Sequence, residues 1–254
     1  MTTEYAGQGD PGRTLGLLWG TKEQPRRGPR PKLTVPQIAA AAIRVADEDG
    51  LDALSMRRVA ERLEVVPMSL YTYVPGKHEL IDLMLDTVIG EVPPADGHEG
   101  EPRARMERMA REDWAFFHRH PWVLEISGHR PAMGPNSLAA FGSGMRALSG
   151  LGLSGAEQVM VISLLDGYVR GMARESIDAA QAERRTGVSD DQWWSALLPH
   201  WTEHADPRLS PDLADPSVGA AVFGGYEEKF DFGLQRLLDG VQAFIGARGA
   251  ETGR

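Results

Sequence analysis

The chain has 254 residues, 42% hydrophobic and 25% charged, with a formal net charge of −9. This suits a globular protein of one or two domains and argues against one that coats nucleic acid over its whole surface. It holds no long apolar run, no basic stretch leading into an apolar core at the N-terminus, and no cysteine, so no membrane span, signal peptide, disulfide or thiol chemistry is expected and a reducing cytoplasm fits.

Residues 1–33 show no periodic apolar pattern. Gly and Pro are frequent, and Leu15, Leu17, Leu18 and Trp19 form one apolar island. This composition predicts a flexible arm. Its end, Pro25 to Lys32, carries Arg26, Arg27, Arg30 and Lys32 and no acid. The run reads equally as an arm reaching DNA phosphates or the minor groove and as a solvated tail. Residues 34–49 read as a helix, with Thr34 and Gln37 as a capping box, Pro36 in the first turn, and Ile38, Ala42, Ile43 and Ala46 on one face. Gly50 ends it.

Residues 54–80 read as a short helix, a tight turn and a second short helix. Ser55 is placed to cap the first. Val59, Ala60 and Leu63 form its buried face, while Arg57, Arg58 and Arg62 fall on open faces. Glu64 to Val66 make the turn, and Pro67 fits the first turn of the second helix. That helix, ending near Tyr73, is too short to be stable alone. It must lie on its neighbour and present Ser69, Thr72 and Tyr73, with Tyr71 beside them. Such a pair is the build of a helix-turn-helix reader, whose second helix enters the major groove. Charge agrees: residues 22–80 hold ten Lys/Arg against eight Asp/Glu, and residues 81–254 hold sixteen against twenty-six.

Val74-Pro75-Gly76 breaks the reader helix, and residues 77–89 form a longer one. An acidic Pro/Gly linker is expected over residues 91–102 and a helix over 103–120, with Met106, Met109, Ala110, Trp114 and Phe117 on a stripe. Pro121 bends the chain and residues 122–127 continue it. A loop and a helix over 137–148 follow. A long helix is expected over 154–182, opened by a second capping box, Ser154 and Glu157, with Gly167 and Gly171 one turn apart. Residues 183–222 read as an irregular connection, and residues 226–245 as the closing helix.

The run from Leu51 to Leu80, with its L-Y-x-Y-V ending and Lys77 beyond it, resembles the DNA-binding domain of the TetR family of bacterial repressors. Glu64 stands where that family usually has Gly, a substitution worth about 1 kcal/mol against the turn. FDFGLQRLLDGV, Phe230 to Val241, is similar to the last helix of the tetracycline-repressor type of C-terminal domain. The resemblance implies an all-α protein: a flexible arm (1–33), a three-helix reader (34–78), a helical ligand-binding and dimerisation body (79–246) and a flexible tail (247–254). It implies a homodimer on a palindromic duplex operator, with base-edge contacts from Arg57, Pro67, Ser69 and Thr72 and backbone contacts from Tyr71, Tyr73 and Lys77. An apolar effector is expected inside the body against Trp114, Phe117, Trp122, Met145, Tyr168 and Met172. In tetracycline repressors a His and a Glu help hold a magnesium–drug complex. The Glu position falls on Glu175 and the His position near Ile126, with Ser127 beside it. Neither is a suitable magnesium ligand, so no metal or other cofactor is expected.

Other motifs lead nowhere catalytic. Gly150 to Gly155 matches GxGxxG but lacks a preceding strand, and reads as a loop into a capped helix. His118 and His120, two apart on a helix, point apart and read as surface or pocket histidines. Gly142-Ser143-Gly144 lacks the spacing of a nucleophile elbow, and Asp190-Asp191 reads as a solvated cap. An all-α enzyme is therefore the weaker alternative to a regulator, and a constitutive DNA-binding protein without effector the stronger one.

Overall fold

Asp10 and Pro11 start the first helix of the chain. The computed structural model describes residues 4–7, 9–21, 33–97, 100–127, 133–204 and 225–252. In it Asp10 accepts a hydrogen bond from Arg13 N at 2.8 Å and Pro11 stands in the first turn of α1 (Pro11–Leu18), where its missing N–H is no loss. Ahead of it β1 (Glu4–Tyr5) pairs in parallel with β2 (Ile126–Ser127). Gly7 N donates to Asp82 Oδ1 at 3.0 Å, and Trp19 Nε1 to Met133 O at 3.1 Å. The flexible arm expected over residues 1–33 is thus corrected over residues 4–7 and 9–21. An island of four apolar residues is too short to show a period, but Leu17 is buried once docked. The basic run from Pro25 to Lys32 begins and ends outside the described residues.

The reader follows its local signals. Thr34 and Gln37 exchange the two capping-box bonds at 2.9 and 3.3 Å and open α2 (Val35–Asp49). Ser55 Oγ accepts from Arg58 N at 3.1 Å and opens α3 (Met56–Arg62). Then come α4 (Pro67–Leu70) and α5 (Lys77–Ile89). Ile38, Val59, Leu70, Leu80 and Ile81 are fully buried, each such side chain contributing roughly 1.5–3 kcal/mol.

Helix α5 also buries Glu79, Asp82 and Asp86, a stripe at helical spacing. Asp86 serves α7 (Pro135–Ala147), which has no side-chain cap of its own. Its carboxylate accepts from Ser137 N and Ser137 Oγ, both at 2.8 Å, and from Asn136 N at 3.3 Å. These are orphan donors of the first turn of α7. The close approach needs Gly134: an added Cβ there would sit 2.2 Å from Asp86 Oδ1.

Helix α6 (Pro102–Arg119) ends before the bend expected at Pro121, and the chain continues as a 3-10 turn, Pro121–Glu125. The linker before α6 is pinned by Asp96, which accepts from Ser143 Oγ and, at 2.6 Å, from Arg146 Nε. Those bonds hold its carboxyl below the ordinary value.

Gly150 and Gly152 lead into α8 (Gly155–Thr186), which Ser154 and Glu157 cap reciprocally. The expected irregular connection is corrected next: α9 spans Asp190–His204. Ser189 and Gln192 form its capping box at 3.1 and 3.2 Å, so Ser189 is the cap rather than the acid pair. The last helix, α10 (Tyr226–Thr252), runs past Ile245, so the expected tail at 247–254 is helical as far as Thr252.

The chain forms two compact units, Met1–Ile162 and Ser163–Arg254. In the second, Tyr168 Oη donates to Phe230 O at 2.7 Å and its ring stacks on Phe230 at 5.9 Å. Only a residue without Cβ fits opposite: at Gly233 a Cβ would sit 2.3 Å from Tyr168 Oη.

Candidate functional site

The reader turn is made as the spacing requires, at a conformational cost. Glu64 has φ 56°, the one non-glycine at positive φ among the described residues, in the left-handed region that L side chains disfavour. Val65 N closes the turn on Ala60 O at 3.0 Å. Helix α4 then lies on α3 through Leu70, fully buried, and turns its other side outward.

The expected DNA residues divide into two kinds. Pro67, Tyr71 and Thr72 are exposed, and Ser69, Tyr73 and Lys77 are half-buried. Ser69 Oγ donates back to Val66 O at 2.5 Å. Arg57, its side chain 82% exposed, bonds Glu61 at 2.9 Å one turn on. Arg58 and Arg62, expected on open faces, are tied to α2. Arg58 meets Asp49 at 2.9 Å, and Arg62 makes a fork on Glu48 at 2.6 and 2.5 Å. The Arg62 bond holds the Glu48 carboxyl below its ordinary value. These pairs are largely solvent-exposed, so each adds little stability. The spacing alone could not show this, because Glu48 and Asp49 lie on another helix.

Two reader residues escaped the sequence reading. Met68 is 75% exposed and Val66 69%. Val66 is the residue just ahead of α4 and Met68 lies within it, so both stand on the open side of the reader. The signal was present in Pro67, which fixes the start of α4 and so the outward side of Met68.

The expected effector residues are scattered. In the first unit Trp122 is 1% exposed and donates Nε1 to Asp47 Oδ1 at 2.7 Å. Phe117 is buried beside Phe116, and Trp114 and Met145 are half-buried. Trp122 and Phe117 are thus packed in the core. In the second unit Tyr168 clamps α8 to α10, Met172 is half-buried and Glu175 exposed. Of these three only Glu175 lines the cavity of that unit, which measures about 600 Å³. His120, read as a surface or pocket residue, is buried. Its Nδ1 lies 2.8 Å from Asp47 Oδ1 and its Nε2 3.1 Å from Glu91 Oε2. Ile126 is buried, and its apolar side chain has no oxygen to offer magnesium.

A short helix held across a tight turn on a three-helix unit, its outer side open, defines a helix-turn-helix DNA-binding regulator. Residues 34–84 match the bacterial regulatory proteins of the tetR family, and residues 93–245 match the tetracyclin repressor-like C-terminal domain. The chain belongs to the TetR family, with a C-terminal domain of the tetracycline-repressor type. It is 43% identical over 252 residues to the HTH-type transcriptional repressor DrrR1 of Streptomyces coeruleorubidus, covering 99% of this chain and 93% of that one. Apo ActR from Streptomyces coelicolor matches with a TM-score of 0.69 at 26% identity, over 86% of this chain and 99% of that one. ActR in complex with actinorhodin gives 0.70 at 28% identity, over 84% and 96%. Among the described residues no helix is long and apolar enough to cross a membrane.

Proposed function

We propose that this protein is a ligand-responsive transcriptional repressor that binds a near-palindromic operator as a homodimer and leaves it when a small molecule binds the body. The observation that carries the reading is the open side of the reader, where Arg57, Pro67, Met68 and Thr72 stand exposed. A reader pair related by a two-fold axis needs two half-sites in successive major grooves. Arg57, Pro67, Ser69 and Thr72 contact base edges in this reading, and Tyr71, Tyr73 and Lys77 the backbone. Arg26, Arg27 and Arg30 add affinity through phosphates.

Two features support the homodimer. Gly167 and Gly171 are open on α8, with nothing within 4 Å of an added Cβ, and Leu164 beside them is exposed. Phe232 and Phe244 are exposed on α10. Small residues next to large apolar ones let a second copy approach closely and bury area. The repressor reading is supported by a relative named as a repressor, and the effector reading by ActR, which was solved with actinorhodin. The His position falls near Ile126, with Ser127 beside it, which speaks for release without magnesium. A 100-fold loss of DNA affinity needs about 2.7 kcal/mol of coupling.

The test is selection of genomic duplexes at low salt, followed by footprinting and sedimentation of the complex. Protection of two half-sites about one helical turn apart by two chains is the expected result. A protein that retains no duplex would overturn the reading.

A further inference from the structure

The cavity of the second unit has a consistent chemistry. Its floor is one side of the C-terminal half of α8, where Glu175, Asp178, Ala182 and Thr186 recur at helical spacing. Its walls are Trp193 and Trp194 on α9 and Tyr226 at the start of α10. Trp193 is 51% exposed, and Trp194 meets it edge-on at 4.5 Å. Tyr226 Oη donates to Asp190 Oδ2 at 2.7 Å, which fixes the Tyr ring at the rim. Lys229 Nζ already lies over that ring, 4.9 Å from its centre. The lining thus combines three aromatic rings with three carboxylates, Glu175, Asp178 and Asp190, against one ammonium.

Each part excludes a class of ligand. The excess of carboxylates repels an anion. A wholly apolar ligand would desolvate those carboxylates and return no bond. An exposed indole, Trp193, and a half-buried one, Trp194, beside alanine suit a flat ring system, and ring faces attract cations. A volume of about 600 Å³ is in the range of small-molecule sites.

We propose that this cavity binds an amphipathic cation: a planar aromatic system that carries a protonated amine. The rings lie against Trp193, Trp194 and Tyr226, and the ammonium meets Glu175 and Asp178. This deepens the reading of the protein as ligand-responsive, on which it rests, and it replaces the apolar effector with a charged one.

The probes are pyrenemethylamine, pyrenemethanol and pyrenecarboxylate, which share one ring system and differ in charge. Binding is followed by tryptophan fluorescence on the full chain without DNA. The amine is expected to bind at least about tenfold tighter than the alcohol, and the carboxylate weakest. In the double variant Glu175→Gln, Asp178→Asn the ratio of amine to alcohol should fall toward one, with the thermal melt unchanged. Trp193→Ala should weaken amine and alcohol alike. Equal affinity for amine and alcohol, or a ratio that survives the double variant, overturns the site. The amine is then added to the protein on its selected operator. Binding without release leaves the cation site standing and removes the effector role from it. Absence of binding removes the site, while operator selection still tests the regulator on its own.

Discussion

Trp122 donates its indole N–H to Asp47 Oδ1 at 2.7 Å, and the same oxygen lies 2.8 Å from His120 Nδ1. Asp47 is on α2 of the reader, and Trp122 and His120 follow α6. One carboxylate of the DNA-binding unit is therefore held by the first residues beyond α6. Trp122→Phe keeps an aromatic ring, removes the donor and leaves a small cavity that adds to the cost. A hydrogen bond to a charged group is worth about 1.5–3 kcal/mol, so urea unfolding should show a loss of that order. Asp47→Asn added to it should cost less than the two single changes together. Strict additivity would show that the bond does not couple the two residues.

Glu64 offers a gain. Its φ of 56° costs an L residue roughly 1–2 kcal/mol, and glycine adopts it freely. Glu64→Gly should raise stability by about 1 kcal/mol after glycine's greater freedom in the unfolded chain is counted. Its side chain is exposed, so operator affinity should change little. An unchanged or lowered unfolding midpoint would mean that the Glu64 side chain supports the turn in some other way.

The reader can be dissected by sequence preference. Arg57→Ala should cost about 1–3 kcal/mol on the operator and relax one position of the site. Met68→Ala should relax a thymine position. Lys77→Ala should weaken all duplexes alike and flatten the salt dependence by about one unit. A binding-site profile for each variant separates these outcomes. A Lys77→Ala profile altered at one base would reassign that residue to base reading.

Asp82 makes stability depend on pH. Burial holds its carboxyl above the ordinary value, against the pull of the Gly7 N–H, with Glu79 adding to the rise and His78 opposing it. Its buried Oδ2 has no hydrogen-bond partner among the described residues. The folded protein then keeps the proton more readily than the unfolded chain. The contribution of this group is complete below its unfolded value and is lost as pH rises through the folded one. Asp82→Asn should gain stability over the parent as pH rises above the ordinary aspartate value of about 4. Parallel melting curves across that range would count against a buried carboxylate there.

The basic run is tested by charge, since truncation would also remove the docked residues ahead of it. Replacing Arg26, Arg27, Arg30 and Lys32 by Ala should lower affinity for operator and random duplex by similar factors. The salt slope should fall by about 3 to 4. Loss of discrimination would instead assign the run to base reading in the minor groove.

The sequence by itself determined the reader. Thr34 with Gln37, Ser55, Pro67 and the turn at Glu64 all act within a few residues, so local chemistry places α2, α3 and α4 without help from the rest of the chain. The same holds for Ser154 with Glu157 at the start of α8. Ser189 with Gln192 carried as plain a signal for α9, hidden by the polar stretch around it. Only the tertiary structure decided what the aromatics do. A ring on an apolar stripe has one signature in sequence whether it packs or binds. Trp122 became core because Asp47 meets it from 75 residues away. Tyr168 became a clamp because Gly233 leaves room for its hydroxyl. Trp193 stayed open beside Glu175 and Asp178 in a cavity that three helices must meet to form. Contacts between residues far apart in the chain depend on how helices pack, and spacing along one helix holds no record of that.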